Sequence, residues 1–336
     1  MIHEFKTLVE HAHKWQKEGK KSVLASVVAL EGSSYRRPGV RMLINEQGEA
    51  VGAVSGGCVE KEVHFQSLSV FKEGTSKMMT YDGTLRLGCE GIIYVLIEPF
   101  EVSDDFVRTF NATLELRSPM KIVSYYKKEF GVFEGIGTEI IIDNTPFTFN
   151  NFKKSDSDLI TFEQELPPIF QLLIIGAEHD AVQLCKAASN VGWQVTVMAS
   201  ADEQKTIDYF TGAHQLVTPL FDQIDTSKID EQTAVVLMTH SFNKDVQYLS
   251  ALQNCTPAYF GLLGPKHRRE RLINQFLEFN PEVDSDFIEI LRGPAGINIG
   301  AESAQEIAIS IIAEILSVLR NQEPIVLKDK SGTIHA

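Results

Sequence analysis

Residues 172–200, LLIIGAEHDAVQLCKAASNVGWQVTVMAS, decide how the second half of this chain folds. Four apolar residues run into Gly176, a stretch of helical periodicity follows, and Gly192 precedes a second β-rich run. A strand that breaks at glycine, turns into a helix and returns as a parallel strand is the opening unit of a dinucleotide-type fold. The rhythm then repeats. Strands are expected at 170–175, 194–198, 215–218, 234–239 and 258–263, with helices between most of them. This alternation predicts a Rossmann-like, doubly wound parallel sheet. A last helix over 303–319 opens with Ser303 and Glu306 at capping-box spacing.

The first corner departs from a dinucleotide fingerprint. Glu178 stands where a second glycine would let the backbone approach a pyrophosphate, and Ala181 where a third would be. Ala199 and Ser200 occupy the strand end where an acid would hold a ribose. A carboxylate at 178 repels phosphate, so NAD(P) is the weaker cofactor candidate. The carboxyl ends of these strands still define a second candidate ligand site, comprising Gly176, His179, His240, Lys266 and Arg268. Lys266, His267, Arg268 and Arg269 cluster at a helix start, where amides favour anions. A solvated helix face is the alternative for that cluster, and a solvent-facing cap residue for His179.

The first half reads differently. An amphipathic helix over 3–18 leads into a buried strand at 22–30, the loop EGSSYRRPG and a hairpin at 41–44 and 49–54. GAVSGGCVEKEV (52–63) then places a cysteine directly after two glycines at a strand-to-helix corner, with a helix starting at Cys58. Further strands are expected at 92–98 and 121–126, with β alternation over 138–149. The stretch NNFKKSDSDLITFEQELPP is polar and ends in two prolines, which reads as a connector. The expected organisation is a mixed α/β domain at 1–150, a linker at 151–168, the Rossmann-like domain at 169–322 and a tail at 323–336.

A formal net charge of -14 disfavours nucleic acid and anionic membrane surfaces as partners. The N-terminus has no continuous apolar core of a signal peptide, and VLASVVAL is far too short to span a bilayer. Four cysteines at 58, 89, 185 and 255, with no CxxC pair, suit a reducing cytoplasm. Cys185 and Cys255 read as core residues.

Five stretches together resemble the xanthine dehydrogenase accessory family, the XdhC/CoxI group. They are EGSSYRRPGVRMLINEQGEAVGAVSGGCVEKEV, LRLGCEGIIYVLIEP, THSFNKDVQYL, YFGLLGPKHRRERL and GPAGINIGAESAQEIAISIIAEIL, in family order. The resemblance implies a non-catalytic chaperone that binds the molybdenum cofactor, a pterin with a dithiolene and a phosphate. It implies help in sulfuration and insertion into a molybdenum hydroxylase of the xanthine dehydrogenase type. The implied partners are that apoenzyme, a cysteine desulfurase and a second copy in a homodimer. An NAD(P)-dependent oxidoreductase or a nucleotide-sensing regulator is the alternative.

The residues suit such a ligand. Gly56 and Gly57 expose amides at a helix start for an oxyanion. Ser33, Ser34, Arg36, Arg37 and Arg41 lie in or beside the preceding loop, where guanidinium groups can grip phosphate or pterin oxygens. Cys58 is a candidate molybdenum contact, because a helix N-terminus favours the thiolate and thiolates suit soft metals. Glu60 and Cys89 complete the candidate set. The alternative for Cys58 is a small buried hydrophobe. Two departures from the family pattern stand out here: Ser55 in place of a third glycine, and Glu90 beside Cys89.

Overall fold

The computed structural model describes residues 2–32, 37–83, 91–150 and 158–331. The chain divides into two compact units, 1–168 and 169–336.

In the first unit, β1 (Ser22–Gly32) is buried along most of its length because it is the central strand of a five-stranded antiparallel sheet. It pairs with β2 (Arg41–Asn45) on one side and β5 (Gly91–Pro99) on the other. The edges are β3 (Ala50–Gly52) and β4 (Lys77–Asp82), giving the order β3-β2-β1-β5-β4. Helix α2 (Gly57–Glu73) covers one face, setting Val59, Val63 and Val70 against Val23, Val27, Ile44 and Val95. Helix α1 (Ile2–Lys17) buries Phe5, Leu8, Ala12 and Trp15, the stripe its apolar spacing predicts. Phe5 meets Phe100 and Phe110 edge to face, as Phe106 of α3 (Asp104–Glu115) meets Phe149. Each large side chain so buried contributes roughly 1.5–3 kcal/mol.

A second antiparallel sheet holds β6 (Met120–Tyr126), β7 (Gly137–Ile142), β8 (Thr145–Thr148) and β9 (Ile160–Leu166), in the order β8-β7-β6-β9. Asp143 and Asn144 both take positive φ, 47° and 62°, the conformation a two-residue hairpin of the right twist demands. Residues 160–166 correct the connector expected there. They pair with β6 along its whole length, Met120 opposite Leu166 through Tyr126 opposite Ile160. The segment looks polar because it is an edge strand whose one inward polar residue, Gln164, is buried for a specific partner.

The second unit is a six-stranded, all-parallel sheet of β10 (Gln171–Ile175), β11 (Gln194–Met198), β12 (Ala213–Val217), β13 (Thr233–Leu237), β14 (Tyr259–Leu262) and β15 (Leu291–Arg292). Its order, β12-β11-β10-β13-β14-β15, reverses direction between β10 and β13. That is the Rossmann order, with a crevice at the switch point. Helices α4 (His179–Asn190) and α8 (Ala304–Arg320) cover one face. Helices α5 (Phe242–Leu252), α6 (Lys266–Phe279) and α7 (Ser285–Ile290) cover the other. Ser303 and Glu306 form the expected capping box. The connections from β11 to β12 and from β12 to β13 carry only short 3-10 turns, where α-helices were expected between most strands. Among the described residues, no helix is long and apolar enough to cross a membrane.

Candidate functional site

The corner at residues 52–58 carries the described part of the first unit's candidate site, with Gly56, Gly57 and Cys58 exposed. Gly52 has φ +79°, and a Cβ there would lie 2.6 Å from the Arg41 carbonyl oxygen, so the hairpin can only close with glycine. The chain then turns into α2 with Gly56 as its N-cap, which has no side chain to satisfy the helix start. The Gly56 carbonyl accepts from Val59 and Glu60 at 3.0 and 3.4 Å. The amides of Gly57 and Cys58 have no intrahelical acceptor, as helix geometry requires. A Cβ added at Gly56 or Gly57 would meet nothing within 4 Å. Among the described residues these glycines are therefore not demanded by packing, and no acceptor faces the Gly57 and Cys58 amides.

Cys58 is exposed, on the side of α2 opposite Val59 and Val63, and is not the buried hydrophobe of the alternative reading. Glu60 sits half-buried in the first turn. Ser33, Ser34, Arg36 and Cys89 lie outside the described residues, while Arg37 is exposed. Among the described residues, no three His, Cys, Asp or Glu side chains converge to hold a metal ion.

Arg41 corrects the sequence reading. Expected to meet a ligand oxygen, it is 8% exposed inside the first unit. Pairing of β1 with β2 puts it opposite Ser26 on a covered face. Its Nη1 donates to the Gly39 carbonyl at 2.8 Å and to Gln164 Oε1 at 2.6 Å, and its guanidinium stands 5.7 Å from the Phe5 ring centroid. Gly39, at φ +97°, leaves room for Gln164; any side chain there would displace it. The countercharge is Glu98, which sequence reasoning passed over. The signal was a lone carboxylate near the end of the apolar run GIIYVLIEP.

Glu98 is fully buried. Its Oε2 accepts from the Thr138 amide at 2.9 Å and Asn150 Nδ2 at 3.3 Å. Burial pushes its pKa up to about 7, against the pull of those hydrogen bonds and of Arg41. The same burial lowers Arg41 to about 10, which leaves it charged at neutrality. Glu98 Oε1 and Arg41 Nε and Nη2 find no hydrogen-bond partner among the described residues.

The second unit gathers its expected site only in part. A cleft of about 50 Å³ at the switch point is lined by Gly176, Glu178, Ser200, Glu203, Thr239 and Lys244, among others. Of the five residues drawn there from sequence, only Gly176 lines it. His179 and Lys266 are exposed. His240, at φ +58°, faces Asp180 at 3.3 Å. Arg268 is committed to buried Asp245 at 2.7 Å, and Asp245 also accepts from Thr239, so this cation braces the start of α5. Lys244 and Ser200 were missed. Lys244 Nζ donates to Ser200 Oγ at 2.8 Å and lies 3.6 Å from Asp202, filling the strand end where a ribose would sit. A wider groove of about 820 Å³, lined by Phe221, Val246, Ala251 and Phe279 among others, holds none of the residues singled out in the sequence.

An antiparallel α/β unit with an open glycine-cysteine helix start, followed by a Rossmann unit whose own corner carries a carboxylate, defines the class. Family models agree on both halves. The model described as the XdhC and CoxI family matches residues 15–82, and the model described as the XdhC Rossmann domain matches 172–315. A relative from Bacillus subtilis (strain 168), named as a probable xanthine dehydrogenase subunit, is 30% identical over 93% of this chain and 96% of its own. The chain belongs to the XdhC and CoxI family. It is also similar to the molybdenum cofactor insertion chaperone PaoD of Escherichia coli (strain K12), at 27% identity over 95% of this chain and 90% of that one. The crystal structure of a protein described as a xanthine dehydrogenase from Bacillus halodurans superposes with a TM-score of 0.77 at 27% identity, covering 98% of each chain.

Proposed function

We propose that this protein is an accessory chaperone that binds the molybdenum cofactor at the start of α2 and assists its sulfuration and insertion into a xanthine dehydrogenase-type hydroxylase. The observation that carries the reading is the exposed Cys58 at a helix start that has no side-chain cap and, among the described residues, no acceptor for the Gly57 and Cys58 amides. Those amides would take an oxyanion of the cofactor and the thiol its soft metal or sulfur. When bound, the group carries molybdenum and dithiolene chemistry that belongs to the acceptor enzyme. Arg41 has no part in this grip, since it is buried within the first unit with Nη1 bound to Gly39 and Gln164. The name of the Escherichia coli relative supports the cargo, and that of the Bacillus subtilis relative the acceptor. A cysteine desulfurase as sulfur donor and a homodimer as the working form complete the proposal.

Anaerobic isolation of Cys58→Ala beside the parent, with molybdenum and pterin measured on each, tests it. The parent is expected to retain cofactor and the variant to lose about tenfold or more, the scale seen when a metal-site group is removed. Equal contents would end the assignment of Cys58.

A further inference from the structure

The outward side of α2 carries more than a thiol. Cys58, Lys61, Phe65, Leu68 and Lys72 are all exposed and recur every three or four residues, so they form one stripe. The opposite stripe, Val59, Val63, Ser67 and Val70, is buried and fixes the helix's rotation. Phe65 is 67% exposed and Leu68 61%, well beyond what a solvated helix face needs. The surface continues sideways. Lys77 Nζ donates to Gln66 at 2.6 Å and Ser69 at 3.2 Å, and lies 5.0 Å over the ring of Phe130. Phe130 and Val132 are themselves 57% and 53% exposed. Their loop is pinned to β4 by the paired backbone hydrogen bonds of Met78 and Gly131.

This patch is apolar at its centre and basic at its margins, with Lys61, Lys72 and Lys77 around it, on a chain of net charge -14. Acids flank it as well: Glu62, which accepts from Gln66 at 2.8 Å, Glu73 at the helix end and Glu129 beside Phe130. We infer that this face of α2 docks the acceptor apoenzyme, through an apolar groove rimmed by carboxylates on that protein. The inference rests on the reading that Cys58 holds the cofactor, because the stripe begins at that thiol. A second copy seated on the same stripe would cover the bare amides and the thiol, the place from which the cargo must leave. A helix laid in a groove uses residues spaced three, four and seven apart as anchors, and Lys61, Phe65, Leu68 and Lys72 have that spacing, with Cys58 beyond their end. The lysines steer encounter with an acidic rim.

The test titrates the purified apo form of the same organism's xanthine dehydrogenase-type hydroxylase with the parent, Phe65→Glu/Leu68→Glu, the milder Phe65→Ala/Leu68→Ala, and Cys58→Ala. Molybdenum content and mass in solution are measured on each. Both patch variants are expected to keep the parent's cofactor content and mass, and to bind the acceptor about 100-fold and about tenfold more weakly, respectively. Cys58→Ala is expected to bind the acceptor like the parent while losing cofactor. Undiminished acceptor binding by Phe65→Glu/Leu68→Glu overturns the docking assignment, as does a change in its mass, which would give the stripe to self-association. A parent that holds cofactor but does not bind the acceptor overturns docking and leaves the Cys58 reading intact. A parent that binds the acceptor yet loses no cofactor on Cys58→Ala overturns the premise that the stripe starts at the loading point.

Discussion

At Gly56–Cys58 the chain enters α2 with open space around both glycines; at Gly176–Glu178 it enters α4 with none. A Cβ at Gly176 would lie 2.5 Å from the Met238 carbonyl oxygen, and its φ of +137° is closed to other residues. Both corners follow a strand, both carry glycine and neither helix start is capped by a side chain, yet only the first has open space around its glycines. In the second, glycine is spent on bringing β10 and β13 together, and Glu178 and Lys244 occupy the crevice that results. A glycine at a helix start thus serves a ligand or the packing, and the space around its missing Cβ tells which.

The contrast breaks most sharply on Gly176→Ala. Overlap with backbone plus a forbidden φ is expected to remove about 3 kcal/mol or more from the second unit. The two tryptophans make this measurable, because Trp15 lies in the first unit and Trp193 in the second. Urea unfolding of Trp15→Phe, followed through Trp193, reads the second unit alone. An unchanged midpoint for Gly176→Ala would refute the crowding argument.

The next effect belongs to the first unit and to pH. The Glu98 carboxyl is raised from 4.5 to about 7 in the folded protein. The native state therefore binds this proton more tightly than the unfolded chain, so stability is greatest below about 4.5 and falls until the pH passes about 7. The fall amounts to about 3 kcal/mol at 1.36 kcal/mol per unit. Glu98→Gln should match the parent near pH 4.5 and exceed it at pH 8, in unfolding followed through Trp15 in a Trp193→Phe background. Parallel pH profiles for the two would show that Glu98 stays ionised.

Smaller still is Gly57→Ala. With nothing near the new methyl, stability should change by less than about 1 kcal/mol, in the direction of a gain for a helical position. Cofactor retention is the sensitive readout there, and a large loss of stability would mean the corner is packed after all. Last, NADH at about 1 mM, the top of the usual micromolar-to-millimolar range, should leave the thermal midpoint of the parent unmoved. A clear upward shift would reopen the second corner as a nucleotide site.

How much of this could be read in the amino acids depended on whether a residue's partner lay nearby. The β10–α4–β11 unit was legible because its apolar periods and glycine breaks are local. So was the start of α2, where the expected first helical residue differs by one from that observed. Strand β9 was not legible. Its outward residues are polar, and its buried Gln164 answers an arginine 123 positions away. Arg41 misled for the same reason, since a cation beside a serine-rich loop looks like a ligand grip until its distant partners are known. Lys244 was missed because its hydroxyl partner, Ser200, comes from a different strand end. The stripe on α2 escaped attention because Val59, Val63 and Val70 account for the helix without Phe65 and Leu68.

The long reach from Arg41 to Gln164 also sets a timetable for biosynthesis. At 5–20 residues per second, a ribosome needs about 10 s to follow the one with the other. Throughout that interval the nascent guanidinium lacks its amide partner, and once β6 has been made it presents a bare edge inviting stray strands until β9 follows. A gene fragment stopped at residue 150 would freeze the polypeptide in that unfinished condition, whereas one stopped at 168 would let it close.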